Sequence, residues 1–350
     1  MVSLFPNGAF EHHQLRVHTG TRSGVTFAIA IHAPGSDGKA LGGCRLVSYP
    51  TVTDAIADAL RLSRAMTWKS ASVGLPHGGA KCVIRKPPEP LSEEARRDVM
   101  HDVGDVVEEL GGRFLTGKDA GTTTDDFLAM AERTGSVIGL PPEHGGSGDP
   151  SGITAFGVLV AIEAACEAAF GDSSLDGRSV AVLGLGTVGG DVARGAAERG
   201  AQLVVADVDE RKRALADELG ARWVAPDALL TEPVDVLSPC ALGGVITTEV
   251  AAAAQCRVIA GAANNQLATD DVAAQLRDRG ILWAPDFVAN AGGLIGVASE
   301  VDGYDLDEAR RRTAAIGDTL REVFARAAAD GATTQDAALA YAQERSRSGP

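Results

Sequence analysis

The order of elements between Arg178 and Asp207 constrains the fold of this chain more than any other feature of its sequence. An apolar strand, RSVAVLGLG, leads into a glycine-rich turn that opens a helix, and a second apolar strand, AQLVVAD, follows that helix. Three further apolar strands, VDVLSPCA, CRVIAGAANN and ILWAPDFVAN, alternate with helix-compatible segments. This alternation predicts a parallel, doubly wound α/β sheet.

The turn carries glycines at G-x-G-x-x-G spacing. Gly184 suits a tight turn, Gly186 lets a pyrophosphate approach the backbone, and Gly189 lets the helix pack on the strand. The helix N-terminus would then bind the anion. The predicted loop residues are Gly184, Leu185, Gly186, Thr187, Val188 and Gly189. The alternative is a glycine-rich turn in an α/β fold that binds no nucleotide.

The second strand ends at Asp207, which is placed to accept hydrogen bonds from both hydroxyl groups of an adenosine ribose. A carboxylate repels a 2′-phosphate at short range, so Asp207 favours NAD over NADP. Arg211 and Lys212 lie a turn further on and could offset part of that repulsion. The segment therefore predicts a Rossmann-type domain that binds NAD.

The first part of the chain has a different pattern. The runs HQLRVHTG, TFAIAIHAP and ALGGCRLVSY predict a mixed sheet, and helices are predicted from about Thr53 to Lys69 and from Ser92 to about Leu110. The turn-rich stretch PPEHGGSGDPSG marks a domain boundary. We predict an N-terminal mixed α/β domain over residues 1–148, a Rossmann-type domain over 149–325, and a C-terminal helix over 326–350 that returns to the first domain.

The composition limits the class of partner. A net charge of −15 argues against nucleic acid and against an anionic membrane surface, because both need a basic footprint. The five cysteines form no C-x-x-C pair and show no metal-ligand spacing, which indicates reduced thiols in a cytoplasmic protein. The N-terminus has no basic stretch followed by a long apolar one, and no apolar run reaches about 18 residues, which disfavours secretion and membrane spanning.

Two lysines flank the glycines of MTWKSASVGLPHGGAKCVI. If these glycines fold the chain back, Lys69 and Lys81 face one cleft, where one ammonium group can bind a carboxylate and the other, desolvated, can act as a base. Asp119, in TGKDAGT, offers a carboxylate for the proton path, whereas Lys118 is predicted to face solvent. The alternative is a pair of exposed lysines without a role.

These motifs occur with others in one order. The stretches MTWKSASVGLPHGGAKCVI, TGKDAGTTTDDF, GLGTVGG, PCALGGVI, GAANNQL and APDFVANAGGLIGVA resemble the glutamate/leucine/phenylalanine/valine dehydrogenase family, and the resemblance spans Leu41 to Ala298. Several motifs in order are far more specific than any one of them. The resemblance implies an NAD-dependent homo-oligomeric enzyme that oxidatively deaminates an L-amino acid to a 2-oxo acid and ammonia, without a metal.

The resemblance also implies roles for individual residues. Lys69 corresponds to the lysine that binds the α-carboxylate, Lys81 to the catalytic lysine that activates water, and Asp119 to the proton-handling aspartate beside the amino group. The implied substrate residues are Gly42 (or Leu41), Gly117, Asn264, Leu294 and Val297. Besides the glycine loop, Asp207 and Arg211, the implied cofactor residues are Arg45, Thr154, Ala241, Leu242, Ala263 and Asn264. Cys44, beside Arg45, replaces a threonine that is usual in the family.

The pocket residues favour an aromatic substrate. Gly117 with Leu294 resembles the phenylalanine-specific members, because the missing methyl group at Gly117 leaves room for a ring. One methylene discriminates by only about 1 kcal/mol, so neighbouring substrates are expected too. A branched-chain dehydrogenase is the alternative among enzymes, and a catalytically silent NAD-binding sensor is the alternative outside them. A 2-hydroxy acid dehydrogenase is disfavoured, since all seven histidines precede Thr154.

Overall fold

The computed structural model describes residues 10–303 and 305–348, which form two compact units. Unit 1 is the chain through Asp149 together with residues 297–303 and 342–348, and unit 2 comprises Pro150–Gly296 and Asp305–Tyr341. Most of the N-terminal stretch that we searched for a leader lies outside the described residues. Each unit has its own sheet and its own apolar core.

Unit 1 is built on a mixed five-stranded sheet. Its elements in chain order are β1 (Gln14–Thr19), β2 (Thr26–Ala33), β3 (Ala40–Val47), α1 (Val52–Ser72), β4 (Gly78–Arg85), α2 (Glu93–Glu108), β5 (Phe114–Lys118) and α3 (Thr124–Ala131). The strands lie in the order β1-β2-β4-β3-β5, with β3, β4 and β5 parallel and the pairs β1/β2 and β2/β4 antiparallel. The carboxyl ends of three neighbouring strands therefore meet at one edge of the sheet.

The helices of unit 1 begin at capping residues. Thr51 caps α1 in a capping box with Asp54, and Ser92 caps α2 by accepting a hydrogen bond from Ala95 N. Such caps satisfy amide groups that have no partner inside the helix. The first helix is longer than predicted, since it runs one turn past Lys69.

The glycines between the two lysines differ from our prediction of a turn. Only the segment between Ser72 and Gly78 turns, with Gly74 at φ 69°. Gly78 and Gly79 already lie in β4, and a Cβ atom at Gly79 would collide with Thr67 N of α1. Glycine is therefore needed here because the helix packs directly on the strand.

Unit 2 contains a parallel six-stranded sheet. The elements that follow α3 in chain order are α4 (Ser151–Phe170), β6 (Ser179–Leu183), α5 (Thr187–Glu198), β7 (Gln202–Ala206), α6 (Arg213–Glu218), β8 (Arg222–Trp223), α7 (Pro226–Leu229), β9 (Val236–Pro239), α8 (Thr248–Ala253), β10 (Val258–Ile259), α9 (Asp271–Asp278), β11 (Leu282–Trp283), α10 (Asp286–Ala289), α11 (Gly292–Ala298), α12 (Leu306–Ala314), α13 (Ile316–Asp330) and α14 (Thr334–Ser348). They belong to unit 2, except for residues 297–298 of α11 and 342–348 of α14, which belong to unit 1. The strand order β11-β10-β9-β6-β7-β8 is that of the Rossmann fold, with its switch point between β6 and β9.

The fold class predicted from the sequence is confirmed, with shorter strands than the apolar runs indicated. ILWAPDFVAN contributes a two-residue strand and then a helix, and β8 is a two-residue strand that no pattern indicated. Helix α4 is long and apolar enough to cross a membrane by length and composition alone. Half of it is buried inside the protein, and it packs on α5 and α13 as a core helix does.

Candidate functional site

Lys81 and Asp119 form an ion pair on the sheet of unit 1, between the middle of β4 and the carboxyl end of β5. Lys81 lies within β4 and is 5% exposed, and its Nζ is 2.9 Å from Oδ2 of Asp119, which directly follows β5. An ammonium group buried in this way requires a charged partner. The structure thus brings together the two residues predicted to be catalytic.

Arg45 is the second cation on this carboxylate. It lies on β3, the strand between β4 and β5, and its Nε donates to Asp119 Oδ2 at 2.7 Å. Burial by itself would raise the pKa of Asp119, but the charges and hydrogen bonds of Lys81 and Arg45 outweigh it and lower the pKa to about 2. Asp119 is therefore ionised at neutral pH, where it accepts hydrogen bonds and cannot donate one.

The ion pair requires a glycine on β3. A Cβ atom at Gly43 would lie 2.8 Å from Asp119 Cβ and 3.0 Å from Lys81 Nζ. Gly42, which we predicted as a substrate residue, is buried, its Cβ would collide with the carbonyl oxygen of Ala80, and its role stays a prediction. Gly43 is thus the glycine that borders the charged pair, and the sequence analysis did not single it out.

Lys69 occupies the last turn of α1 and is partly exposed. Helix α1 packs on β4, the strand that carries Lys81, so the two lysines belong to adjacent elements of unit 1. Lys118 is exposed and donates to Thr124 Oγ1 at 3.1 Å. The role of Lys69 in binding a carboxylate stays a prediction.

Two of the predicted pocket residues, Gly117 and Val297, lie next to residues 138–139 of unit 1. A Cβ atom at Gly117 would lie 3.3 Å from the carbonyl oxygen and 3.5 Å from Cγ1 of Ile138, and one at Gly139 would lie 3.5 Å from Cγ1 of Val297. The carboxylate of Glu300 holds this segment by accepting from Gly139 N at 2.9 Å. Ile138 and Glu300 were missed by sequence reasoning, because their spacing from Gly117 and Val297 carries no signal.

The glycine loop of unit 2 has the geometry of a dinucleotide cradle. Gly184 has φ 93°, and a Cβ atom there would lie 2.7 Å from Ala241 Cβ, so no other residue suits the turn. A Cβ atom at Gly186 would meet nothing within 4 Å, which leaves space where a pyrophosphate would lie. Gly186 starts α5 without a side-chain cap, so the first amide groups of that helix are available to an anion.

Asp207 is fixed beside this loop. Its Oδ2 accepts from Leu185 N at 2.6 Å and its Oδ1 from Asp209 N at 2.8 Å, so both oxygens are oriented by the backbone. Arg211, which we predicted to contact the cofactor, is 89% exposed and paired with Asp209 at 2.8 Å. The carboxylate of Asp207 is thus the fixed charge at the end of β7, which fits NAD.

The other predicted cofactor residues of unit 2 lie at the carboxyl ends of the strands or next to them. Asn264 Oδ1 accepts from Asn290 Nδ2 at 2.9 Å, and Leu242, after β9, is 79% exposed. Thr154 Oγ1 donates to the Pro150 carbonyl and would lie 2.6 Å from a Cβ atom at Gly293. Ala263, after β10, is buried. Arg45, by contrast, lies with Asp119 in unit 1, and its contact with the cofactor stays a prediction.

The chain is similar to known proteins along most of its length. Residues 11–136 match the family model "Glu/Leu/Phe/Val dehydrogenase, dimerisation domain", and residues 145–221 and 204–307 match "Glutamate/Leucine/Phenylalanine/Valine dehydrogenase". A leucine dehydrogenase of Thermoactinomyces intermedius is 40% identical over 337 residues, with 96% of this chain and 91% of that protein covered. A phenylalanine dehydrogenase of Bacillus thermotolerans is 40% identical over 343 residues, with 96% and 89% covered.

A solved structure has the same fold. The crystal structure of L-tryptophan dehydrogenase from Nostoc punctiforme superposes with a TM-score of 0.85 at 37% sequence identity, and the match covers 97% of this chain and 96% of that one.

Proposed function

Because the chain belongs to the glutamate/leucine/phenylalanine/valine dehydrogenase family and is an NAD-dependent amino acid dehydrogenase, we propose that its preferred substrate is L-phenylalanine. The observation that carries this proposal is Gly117, where no side chain occupies the space in front of Ile138. Leucine, phenylalanine and tryptophan dehydrogenases resemble the chain to similar degrees, so overall identity does not discriminate among substrates.

The proposed mechanism uses the charged residues of unit 1. Lys81, as general acid and base, activates the water that attacks the imine, and Asp119 accepts a hydrogen bond from the substrate's amino group. Lys69 binds the α-carboxylate, which orients the amino acid. The glycine loop and Asp207 would hold NAD, which would supply the hydride acceptor for Cα. The Lys81–Asp119 ion pair supports these roles, because a silent NAD-binding sensor would have no need of it.

The wild-type enzyme provides the first test. NADH oxidation is measured with phenylpyruvate, with and without ammonia, and again with 4-methyl-2-oxopentanoate. We expect ammonia-dependent turnover with a higher kcat/KM for phenylpyruvate. A clear preference for the branched 2-oxo acid would support the branched-chain alternative and would contradict the proposal of an aromatic substrate.

Gly117→Ala should lower the ratio of kcat/KM for phenylalanine to that for leucine about tenfold, since one methyl group in an apolar pocket is worth roughly 1–3 kcal/mol. The new Cβ would lie at least 3.3 Å from its neighbours, so we expect the fold to be kept. Gly135→Ala is the matched control, because its Cβ would meet nothing within 4 Å. Equal losses for both amino acids would show that Gly117 does not set the ring space.

Asp207→Asn should weaken the preference for NAD over NADP at least tenfold, because hydrogen bonds to a charged group are worth about 1.5–3 kcal/mol and the repulsion of a 2′-phosphate is removed. The amide keeps one oxygen, which can accept from one of the two backbone N–H groups that orient the side chain. The measurement compares kcat/KM for the two cofactors at saturating amino acid. An unchanged preference would show that ribose recognition does not pass through Asp207.

We also propose a cytoplasmic homo-oligomer. The free cysteines of the described chain support a reducing compartment, and the description of the matched family model as a dimerisation domain supports self-association through unit 1. Small molecules are the proposed partners, and the net charge of −15 disfavours nucleic acid and anionic membranes.

A further inference from the structure

Arg45 binds two carboxylates at once. Its Nε donates to Asp119 Oδ2 at 2.7 Å, and its Nη1 donates to Asp58 Oδ2 at 3.1 Å. Asp58 lies on α1 and binds a different nitrogen of the guanidinium group from the one that Asp119 binds. The guanidinium group is planar, so two anchored ends fix its orientation.

Asp58 is itself held firmly. Its Oδ2 accepts from the Tyr49 hydroxyl at 2.6 Å, and its Oδ1 accepts from Arg61 Nη2 at 2.7 Å. Burial would raise the pKa of Asp58, but these hydrogen bonds and the charges of Arg61 and Arg45 lower it, so the carboxylate is charged at neutral pH. The side chains of Asp58 and Arg45 are only 16% and 23% exposed, which strengthens their attraction relative to a surface pair.

The two oxygens of Asp119 are used unequally. Lys81 and Arg45 both approach Oδ2, and Oδ1 receives no hydrogen bond from any residue that the structure describes. An arginine without a second partner normally binds a carboxylate through both oxygens. The pull of Asp58 on Nη1 opposes that arrangement, so Oδ1 stays available.

We propose that Asp58 is a positioning residue, which through Arg45 keeps Oδ1 of Asp119 open to the amino group of the substrate. The inference deepens the proposed function and rests on the role assigned there to Asp119. Without Asp58, the guanidinium group of Arg45 turns onto both oxygens of Asp119, so the amino group of the bound substrate is held away from its productive position. Asp58 touches neither the substrate nor the cofactor in this scheme.

The experiment is a set of variants assayed with whichever apolar amino acid the wild-type enzyme uses best. Asp58→Asn, of equal size, should lower kcat about tenfold, since misplacement of a reacting group is costly. Adding Arg45→Lys, whose ammonium group lacks the planar fork that binds both oxygens of a carboxylate in parallel, should restore part of the lost kcat. Asp105→Asn is the matched control, because Asp105 also binds two arginines, Arg22 and Arg133, but not Arg45.

Each outcome decides the proposal. More than half of the wild-type kcat in Asp58→Asn, or equal losses in Asp58→Asn and Asp105→Asn, would overturn it, and so would a double variant that is slower than Asp58→Asn alone. If the Tm shows that Asp58→Asn is unfolded, Tyr49→Phe takes its place. This variant removes one of the donors that hold Asp58 in position, so it should lower kcat two- to threefold, which is about 0.4–0.7 kcal/mol by the rate conversion. An unchanged kcat there would again overturn the proposal.

The proposed function can fail separately from this inference. A wild-type preference for leucine would remove the phenylalanine assignment and leave the ratios between variants valid. Full activity of Asp119→Asn would remove the role of Asp119, and the inference about Asp58 with it.

Discussion

Lys81→Ala is expected to lower kcat by about 10²- to 10⁴-fold, the range that a general acid and base contributes, while NADH binding changes little. Lys81 is 5% exposed and its Nζ lies 2.9 Å from Asp119, so its removal takes away the only ammonium group that contacts this carboxylate among the described residues. Asp119 keeps Arg45 as a partner, so no unpaired charge is left and we expect the variant to fold. The loss corresponds to about 3–5 kcal/mol of transition-state stabilisation.

Two variants separate the chemistry from the packing. Lys81→Met keeps most of the side-chain volume and should lose as much activity as the alanine variant. Lys118→Ala removes an exposed lysine of β5 that binds Thr124, and it should keep wild-type kcat. Single-turnover kinetics and NADH fluorescence give the two readouts. If Lys81→Ala retains more than a tenth of kcat, Lys81 has no part in the proton transfers.

The fold of unit 2 was predictable because the sequence patterns that indicate it lie close together along the chain. The apolar strand that ends before Gly184, the helix after Gly186 and the strand that ends before Asp207 follow one another directly, and the structure contains each of them. The two-residue strand β8 is held by pairing with β7, so a periodic pattern had no room to develop there. Strands β10 and β11 lie within the predicted runs CRVIAGAANN and ILWAPDFVAN but are shorter than those runs.

The glycines of β4 show where a local signal misleads. Gly78 and Gly79 follow a proline and another glycine, and such a cluster normally indicates a turn. Gly79 is needed because α1 packs closely on β4 at Ser63 and Thr67, and Gly78 because the carbonyl oxygen of Ala33 lies against it. Packing between elements is invisible to turn rules, so these two glycines were assigned to the turn although they lie inside a strand.

The residues of the candidate site likewise fall into two groups, those that a sequence motif marks and those that no motif marks. Lys81 and Asp119 stand in motifs, and the family that those motifs resemble is confirmed by the matches to both halves of the chain. Asp58 and Ile138 stand in no motif, and they were missed. Asp58 reaches the site only because α1 packs on the sheet beside Arg45, and an aspartate in an amphipathic helix otherwise indicates a solvated face.

Asp119→Asn should lower kcat by about 10²- to 10⁴-fold, because the amide carries no charge and cannot act as the proton-handling carboxylate that the family resemblance implies at this position. With its pKa lowered to about 2, Asp119 is charged above about pH 4, so protonation of the free enzyme's Asp119 should not produce an acid limb of the kcat/KM profile above that pH. Because the pKa of Asp119 is lower in the folded than in the unfolded chain, its ionisation stabilises the folded state above about pH 4. That contribution is lost as the pH falls towards 2.

The stability of Asp119→Asn separates its two roles. The substitution leaves the buried ammonium group of Lys81 without its carboxylate, so the Tm at pH 7 should fall, and the difference from wild type should shrink as the pH approaches 2, where Asp119 itself becomes neutral. Asp125→Asn, at an exposed position in the first turn of α3, is the matched control and should change neither kcat nor the pH dependence of the Tm. A variant with lower Tm but wild-type kcat would make Asp119 a structural partner of Lys81 only, and the amino group of the substrate would then need another acceptor.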